Sequence, residues 1–165
     1  MRPSTSKYQY ITADPQKCVG CQFCEYICSY TKGGVFNTYR SRIRTLRAEE
    51  VLITAVACRT CENAPCVIAC PREALWQDPK TGIIRVDENK CDGCAWCIEA
   101  CDFGAISLNP ATKSVEMCDL CETLEEGPQC VKWCPKEALE LTTPDQRAQK
   151  ARQKLAVEEV LGSKE

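Results

Sequence analysis

Short apolar runs separated by turn residues dominate the middle of the chain. Residues 74–76 and 82–86 lie on either side of a proline-containing turn at residues 78–81. The runs 105–108 and 114–117 likewise flank a turn that carries an Asn-Pro pair. Runs of this length beside such turn residues are typical of strands. The pattern therefore predicts two antiparallel β-hairpins.

A different pattern begins at residue 143. Thr143 is a good N-cap, Pro144 suits the first helical position, and Gln146 completes a capping box. Gly162 is well placed to end a helix. This segment, residues 143–165, holds no cysteine and is predicted to form a C-terminal helix.

The charges of this helix oppose its dipole. Basic residues occupy its first half and acidic residues its second half, namely Arg147, Lys150, Arg152 and Lys154, then Glu158 and Glu159. Such a helix is marginal alone. It is either a solvated tail or an arm ordered by packing on a partner or a second copy.

Composition narrows the possible chemistry. The 165 residues include sixteen cysteines and no histidine, and the formal net charge is −2. Without histidine there can be no Rieske centre, no histidine-containing zinc finger and no imidazole triad. The charge gives no basic footprint for nucleic acid, so no nucleic-acid partner is expected.

The cysteines form four groups of four. Every group opens with a pair three residues apart and ends with a cysteine four residues after its predecessor. The groups are Cys18, Cys21, Cys24 and Cys28; Cys58, Cys61, Cys66 and Cys70; Cys91, Cys94, Cys97 and Cys101; and Cys118, Cys121, Cys130 and Cys134. This self-similarity predicts a repeated module.

The spacing suits a 4Fe–4S cubane. Three cysteines at short intervals on a tight loop can wrap one corner of the cluster, while backbone N–H groups point at its sulfurs. The fourth cysteine, one helical turn on, reaches a different cluster in the bacterial ferredoxin run. We expect that fourth cysteine to start a short helix in each group. Together with the hairpins, this predicts an α+β, turn-rich fold with four 4Fe–4S clusters.

Two other uses of cysteine were weighed. Eight disulfides are disfavoured because cysteines three apart pair badly with each other, and a reducing compartment is expected. Structural zinc also uses paired cysteines, but zinc ribbons keep their two pairs well apart. Three cysteines on one short loop with a fourth just beyond, repeated along the chain, favour iron–sulfur clusters.

The N-terminal residues show no apolar signal segment. No stretch approaches the roughly eighteen apolar residues that a membrane span needs. A cytoplasmic protein without its own membrane span is expected.

The motifs resemble a known family. The segment from Cys58 to Pro71, which reads CRTCENAPCVIACP, and the opening CDLC of the last group are similar to the iron–sulfur subunits of molybdenum and tungsten oxidoreductases. That family includes the four-cluster subunits of DMSO reductase and formate dehydrogenases. The resemblance covers about residues 8–142 and is greatest to the compact subunits beside tungsten-containing aldehyde oxidoreductases.

The resemblance implies two fused bacterial-ferredoxin-like modules. The inner module would span residues 55–108, and the outer module residues 8–40 plus 114–142. They form a four-cluster domain over residues 1–142, followed by a helical docking arm at 143–165.

The same resemblance implies the ligands of each cluster. These are Cys18, Cys21, Cys24 and Cys134 for cluster 1; Cys28, Cys118, Cys121 and Cys130 for cluster 2; Cys58, Cys61, Cys66 and Cys101 for cluster 3; and Cys70, Cys91, Cys94 and Cys97 for cluster 4. Spacing alone would also permit a tandem exchange, group one with two and group three with four.

The implied function is an electron relay without catalysis of its own. A molybdenum- or tungsten-pterin catalytic subunit would lie at one end, and a flavin-type acceptor subunit or soluble carrier at the other, in a hetero-oligomer. A freely diffusing polyferredoxin is the next alternative, and a zinc-binding scaffold is the third.

Overall fold

The computed structural model describes residues 8–49 and 52–162, apart from the side chain of Leu161. Residues 1–7 of the predicted domain and the last three residues of the predicted arm lie outside the described residues. The predicted α+β class is confirmed, since the described chain has five helices and eight short strands.

The helices and strands alternate irregularly along the chain. The helices are α1 (Phe23–Gly33), α2 (Pro65–Ile68), α3 (Trp96–Glu99), α4 (Gln129–Lys132) and α5 (Pro144–Leu161). The strands are β1 (Tyr10–Ala13), β2 (Ile43–Ala48), β3 (Leu52–Ala57), β4 (Leu75–Gln77), β5 (Ile84–Val86), β6 (Ser107–Asn109), β7 (Ser114–Glu116) and β8 (Leu139–Thr142). A single 3₁₀ turn covers Thr38–Arg40.

The strands form four separate two-stranded antiparallel sheets. Strands β4 and β5 form one predicted hairpin and β6 and β7 the other, so both predictions are confirmed. The hairpin of β2 and β3 was not predicted. The end of this hairpin at Ala48 and Leu52 is exposed, and polar and apolar residues do not alternate regularly along its strands, so the sequence pattern did not indicate it.

The fourth sheet joins the two ends of the cysteine-bearing chain. Strand β1 pairs with β8 in a register that sets Tyr10 opposite Thr142 and Ala13 opposite Leu139. All four residues of β1 are buried. This pairing brings the first cysteine group beside the last.

Large apolar side chains are scarce in the buried core. Seven of the 25 buried apolar residues of the described chain are cysteines and another seven are alanines. The most deeply buried large side chain is Ile43, on β2. A core so poor in large apolar side chains buries little apolar area. Metal clusters bound by the cysteines are therefore expected to contribute to the free energy of folding.

The C-terminal helix matches its prediction. The Thr143 hydroxyl accepts a hydrogen bond from the Gln146 N–H at 3.3 Å, and the Gln146 side-chain oxygen accepts one from the Thr143 N–H at 3.1 Å. Gly162 follows the last helical residue with φ +66°. The described side chains of α5 are exposed along its length.

The prediction that each fourth cysteine starts a short helix is wrong. Helices α2, α3 and α4 end just before Cys70, Cys101 and Cys134. A proline follows Cys70 and Cys134, and proline disfavours helical backbone in the residue before it. Only Cys28 has helix beyond it, because α1 continues to Gly33.

Within the described part of the chain, no helix has both the length and the apolar character needed to cross a membrane.

Candidate functional site

The sixteen cysteines gather into four sets, and two of these sets line cavities. Cys18, Cys21 and Cys24 line one cavity together with Cys134 from the opposite end of the chain. We call these four thiols set 1. The β1–β8 pairing explains their meeting, because Ala13 and Leu139 are opposite one another close to Cys18 and Cys134. No cysteine of group two lines this cavity.

A second cavity is lined by Cys91, Cys94 and Cys97 together with Cys70. These thiols are set 4. The rest of the lining includes the apolar side chains of Leu75 and Val115. In both cavities, three cysteines of one group meet the fourth cysteine of another.

Set 2 is the most deeply buried of the four. It consists of Cys28, Cys118, Cys121 and Cys130, all buried. Burial raises the pKa of Cys130, and the nearby thiols of Cys118, Cys28 and Cys121 raise that pKa further. Burial likewise raises the pKa of Cys118, and Cys28 adds to the effect. The four thiols are therefore close enough to repel one another when ionised.

Set 3 shows the same electrostatic coupling. Burial raises the pKa of Cys66 to about 11, and the thiols of Cys58 and Cys101 contribute to the rise. Burial also raises the pKa of Cys61, again with a contribution from Cys101. Cys101 is thus the fourth member of the set formed by Cys58, Cys61 and Cys66.

These are the residues that the family resemblance implies for each cluster, and the ligand assignment stays a prediction. Among the described residues, no group of three or more Cys, Asp or Glu side chains is arranged to hold a metal ion. The thiols of sets 1 and 4 each line a cavity. The donor groups fit a cluster ligated only by thiolates.

The raised pKa values show that the thiols of these sites need nearby positive charge in order to ionise. Four neighbouring buried thiols cannot all lose their protons at neutral pH without compensating positive charge. Burial raises the pKa of Cys24 to about 12 and that of Cys97 to about 11. Iron ions would supply that charge, because a thiol that coordinates a metal is deprotonated. Binding would therefore release protons.

A short backbone motif holds three of the fourth cysteines. The N–H group four residues on donates to the cysteine sulfur, from Ala74 to Cys70 at 3.3 Å. The same contact runs from Ala105 to Cys101 at 3.5 Å and from Ala138 to Cys134 at 3.4 Å. Amide donors to the sulfurs stabilise thiolate charge.

Left-handed backbone makes this motif possible. The residue just before each of the three donor alanines has positive φ: Glu73 at +50°, Gly104 at +59° and Glu137 at +47°. This left-handed residue, which lies beyond the end of the helix, directs the alanine N–H toward the sulfur. The repeated Ala at the fourth position after each of these cysteines was a sequence signal for the motif that was missed.

The amide donor to the Cys28 sulfur comes from a more distant residue. Because α1 continues past it, the donor is the N–H of Arg42, at 3.3 Å from the sulfur. The Arg42 side chain reaches Asp119, which lies between Cys118 and Cys121. Lys32, in the last turn of α1, also pairs with Asp119, at 2.7 Å. These contacts bind α1 and β2 to group four around set 2.

Neighbouring sets are linked in a fixed order. The thiol of Cys24 in set 1 contributes to the raised pKa of Cys130 in set 2. Cys58 in set 3 does the same for Cys118 in set 2. Cys66 in set 3 does so for Cys97 in set 4. These electrostatic contributions between neighbouring sets follow the order 1, 2, 3, 4.

Exposure agrees with this order. Within the sets, the exposed cysteines are Cys21 of set 1 and Cys94 of set 4, the two ends of the series. All cysteines of sets 2 and 3 are buried or half-buried. Solvent and partners therefore have best access to the two terminal sets.

Comparison with known proteins gives one family. A family model described as a 4Fe-4S dicluster domain matches residues 49–143. A putative electron transport protein of Escherichia coli K12, YsaA, is 38% identical over 80% of this chain and 88% of its own length. The thiosulfate reductase electron transfer subunit PhsB of Salmonella typhi is 34% identical over 84% of this chain and 78% of its own.

A third relative comes from Pyrococcus furiosus. It is the polyferredoxin-like subunit of an aliphatic sulfonate oxidoreductase, 39% identical over 84% of this chain and 80% of its own length.

The left-handed turn after each fourth cysteine gives a direct stability test. Gly104 has φ +59°, and a Cβ added there would meet nothing within 4 Å. Gly104→Ala should therefore lower the free energy of unfolding by about 1 kcal/mol through backbone strain alone. Glu73→Ala is the control, because that position already carries a Cβ at positive φ. Chemical denaturation followed by circular dichroism measures both, and an equal loss in both variants would contradict the explanation.

Proposed function

Because the chain belongs to the 4Fe-4S dicluster domain family, we propose that its sixteen cysteines hold four 4Fe–4S clusters. In this proposal the protein is the electron-transfer subunit of a larger oxidoreductase and carries out no substrate chemistry itself. The observation that supports it most strongly is the gathering of the thiols into four sets of four. Relatives that are named as electron transfer subunits of larger enzymes support the second part.

The ligands we propose are sets 1 to 4. Groups one and four would exchange their fourth cysteines, and groups two and three would do the same, which is the nested exchange. The amide donors from Ala74, Ala105, Ala138 and Arg42 would offset the negative charge of the bound groups. Zinc is disfavoured because zinc ribbons keep their two cysteine pairs well apart, whereas groups one and three each place three cysteines within seven residues.

When bound, a 4Fe–4S cluster accepts and passes on single electrons. The chain's own contribution is to fix the distances between sites and their order. Cys24 and Cys28 are one helical turn apart on α1, and Cys130 and Cys134 flank the end of α4. Set 1 and set 2 are therefore held close together by covalent spacing, as set 3 and set 4 are by α2 and α3.

The two ends of the series would serve two different redox partners. We propose a molybdenum- or tungsten-pterin catalytic subunit at one end, with a tungsten-containing aldehyde oxidoreductase as the specific choice. A flavin-type acceptor subunit or a soluble carrier would take the other end. The choice of tungsten rests on the compactness of this chain's cysteine groups. A reducing compartment such as the cytoplasm suits sixteen unpaired thiols.

The C-terminal helix α5 is proposed as a docking arm for the catalytic subunit. It contacts the β1–β8 sheet and the loop that follows β1, near set 1. Lys150 pairs with Glu140 on β8, and Lys154 donates a hydrogen bond to Gln16 at 3.3 Å. A groove between α5 and the β1–β8 sheet also contains Lys17 and Arg147. The arm presents these cations next to the exposed end of the series, so we expect an acidic surface on the partner.

The metal content is the first test. Anaerobically purified protein should contain about sixteen irons and sixteen acid-labile sulfides per chain, because each 4Fe–4S cluster holds four of each. Iron and sulfide assays on brown protein measure this directly. Colourless protein with full zinc occupancy and no labile sulfide would end the iron–sulfur proposal.

Ligand exchange between groups is the second test. Cys134→Ser should free Cys18, Cys21 and Cys24, because it removes the fourth member of set 1. Under native anaerobic conditions these three thiols should become open to alkylation, which mass spectrometry can map. Cys130→Ser is the matched control and should instead expose Cys28, Cys118 and Cys121. Exposure of set 2 by Cys134→Ser would refute the nested arrangement.

Removal of the arm is the third test. Deleting residues 144–165 should leave the iron content unchanged, because α5 holds no cysteine. It should weaken assembly with the catalytic subunit on size-exclusion chromatography of the coexpressed proteins. An unchanged complex would show the arm to be dispensable. Full-length protein that elutes alone would favour a free polyferredoxin, and loss of a homo-oligomer would favour contact with a second copy.

A further inference from the structure

Arg59 occupies an unusual place between the first two cysteines of group two. Its guanidinium carbon lies 4.7 Å from the centre of the Tyr10 ring and 5.4 Å from the centre of the Phe103 ring. Both distances are within the range of a cation–π contact. The positive charge is thus held between two aromatic rings.

Both rings are fixed beside set 3. Tyr10 belongs to β1 and is 6% exposed. Next to it, the carbonyl of Gln9 accepts a hydrogen bond from the Thr60 hydroxyl at 2.9 Å, which fastens the loop of Cys58 and Cys61 to this strand. Phe103 lies in the turn that follows Cys101. Arg59 therefore lies between β1 and the turn that follows Cys101, a member of set 3.

Among residues 8–49 and 52–162, no carboxylate lies within ion-pair distance of the Arg59 guanidinium, and its Nε is buried without a hydrogen-bond partner. Arg59 follows Cys58 directly in the chain and stands two residues before Cys61. Its positive charge therefore lies beside two members of set 3.

The equivalent position in the other three groups carries no such charge. It is Val19 in group one, Asp92 in group three and Asp119 in group four. Asp92 pairs with Arg72 at 3.5 Å, and Asp119 pairs with Lys32 and Arg42. The unpaired cation is therefore specific to the loop of set 3.

We propose that Arg59 raises the reduction potential of the site formed by set 3, so that this site is more easily reduced than its ligands alone would make it. The inference rests on the proposed function, namely that set 3 holds a 4Fe–4S cluster. One electron taken up there, from whichever redox partner supplies it, adds one negative charge beside the guanidinium. Tyr10 is buried and Arg59 is half-buried, so the cation is partly shielded from water, and attraction between charges is stronger where water is excluded.

Redox titration of the cluster-loaded protein, followed by electron paramagnetic resonance, tests this inference. In Arg59→Met, one of the four midpoint potentials should shift to a more negative value and the other three should stay in place. Arg59→Lys, which keeps the charge, should retain most of the original potential. If Arg59 had only a structural role, Arg59→Met and Arg59→Lys would not differ in this way, because their side chains are of similar length.

Arg72→Met is the matched control. Arg72 also lies near a thiol set, but its side chain is 60% exposed and is paired with Asp92. Water and the ion pair should screen its charge, so its removal should leave the potentials unchanged. A shift in Arg72→Met as large as that in Arg59→Met would overturn the assignment to Arg59.

Iron and sulfide assays on the same samples separate the two proposals. Wild-type protein without about sixteen irons would contradict the four-cluster function itself. A fully loaded Arg59→Met with four unchanged potentials would contradict the inference alone. If Arg59→Met loses iron, Arg59→Gln is titrated against the same expectation. Loss of iron in both variants would make Arg59 a folding residue and overturn the inference.

Discussion

The cost of ionising thiols that are buried and crowded together is the constraint on which the rest of the structure depends. Four thiols close together in a poorly hydrated space resist losing their protons, and burial raises the pKa of members of every set. Only bound cations and directed N–H donors can offset the charge that ligation creates. The sequence provides those donors through sharp turns, and sharp turns leave room for only short strands and helices. The modest core, rich in cysteine and alanine, follows from the same constraint.

The four-residue step between the third and fourth cysteines sets the geometry. On α1, Cys24 and Cys28 are four helical residues apart, so one turn with a rise of about 6 Å carries two sulfurs toward neighbouring sites. In the other three groups the helix ends two residues before the fourth cysteine. Helix α1 contacts α4, and α2 contacts α3. The thiol of Cys58 in set 3 also acts electrostatically on Cys118 in set 2.

Local chemistry made much of this structure predictable. The hairpins at residues 75–86 and 107–116 follow from their turn residues, and α5 follows from Thr143, Pro144 and Gln146. The failures have physical reasons as well. The prolines that follow Cys70 and Cys134 are signals that no helix starts at these cysteines. The β1–β8 pairing joins residues about 130 apart, and the rings around Arg59 come from two distant segments. No local pattern records such contacts, and the division of the cysteines into sets came from the family resemblance alone.

The meeting of chain ends at β1 and β8 has a consequence for biosynthesis. Cys18 leaves the ribosome long before Cys134, which lies 116 residues later in the sequence. At about 5–20 residues per second, the first group waits for several seconds at least with one place in its set empty. Sets 3 and 4 draw on residues 58–101 and can close earlier. During translation, sets 3 and 4 can therefore form first. The thiols of Cys18, Cys21 and Cys24 are synthesised earliest, are covered last and stay exposed to oxidants for longest.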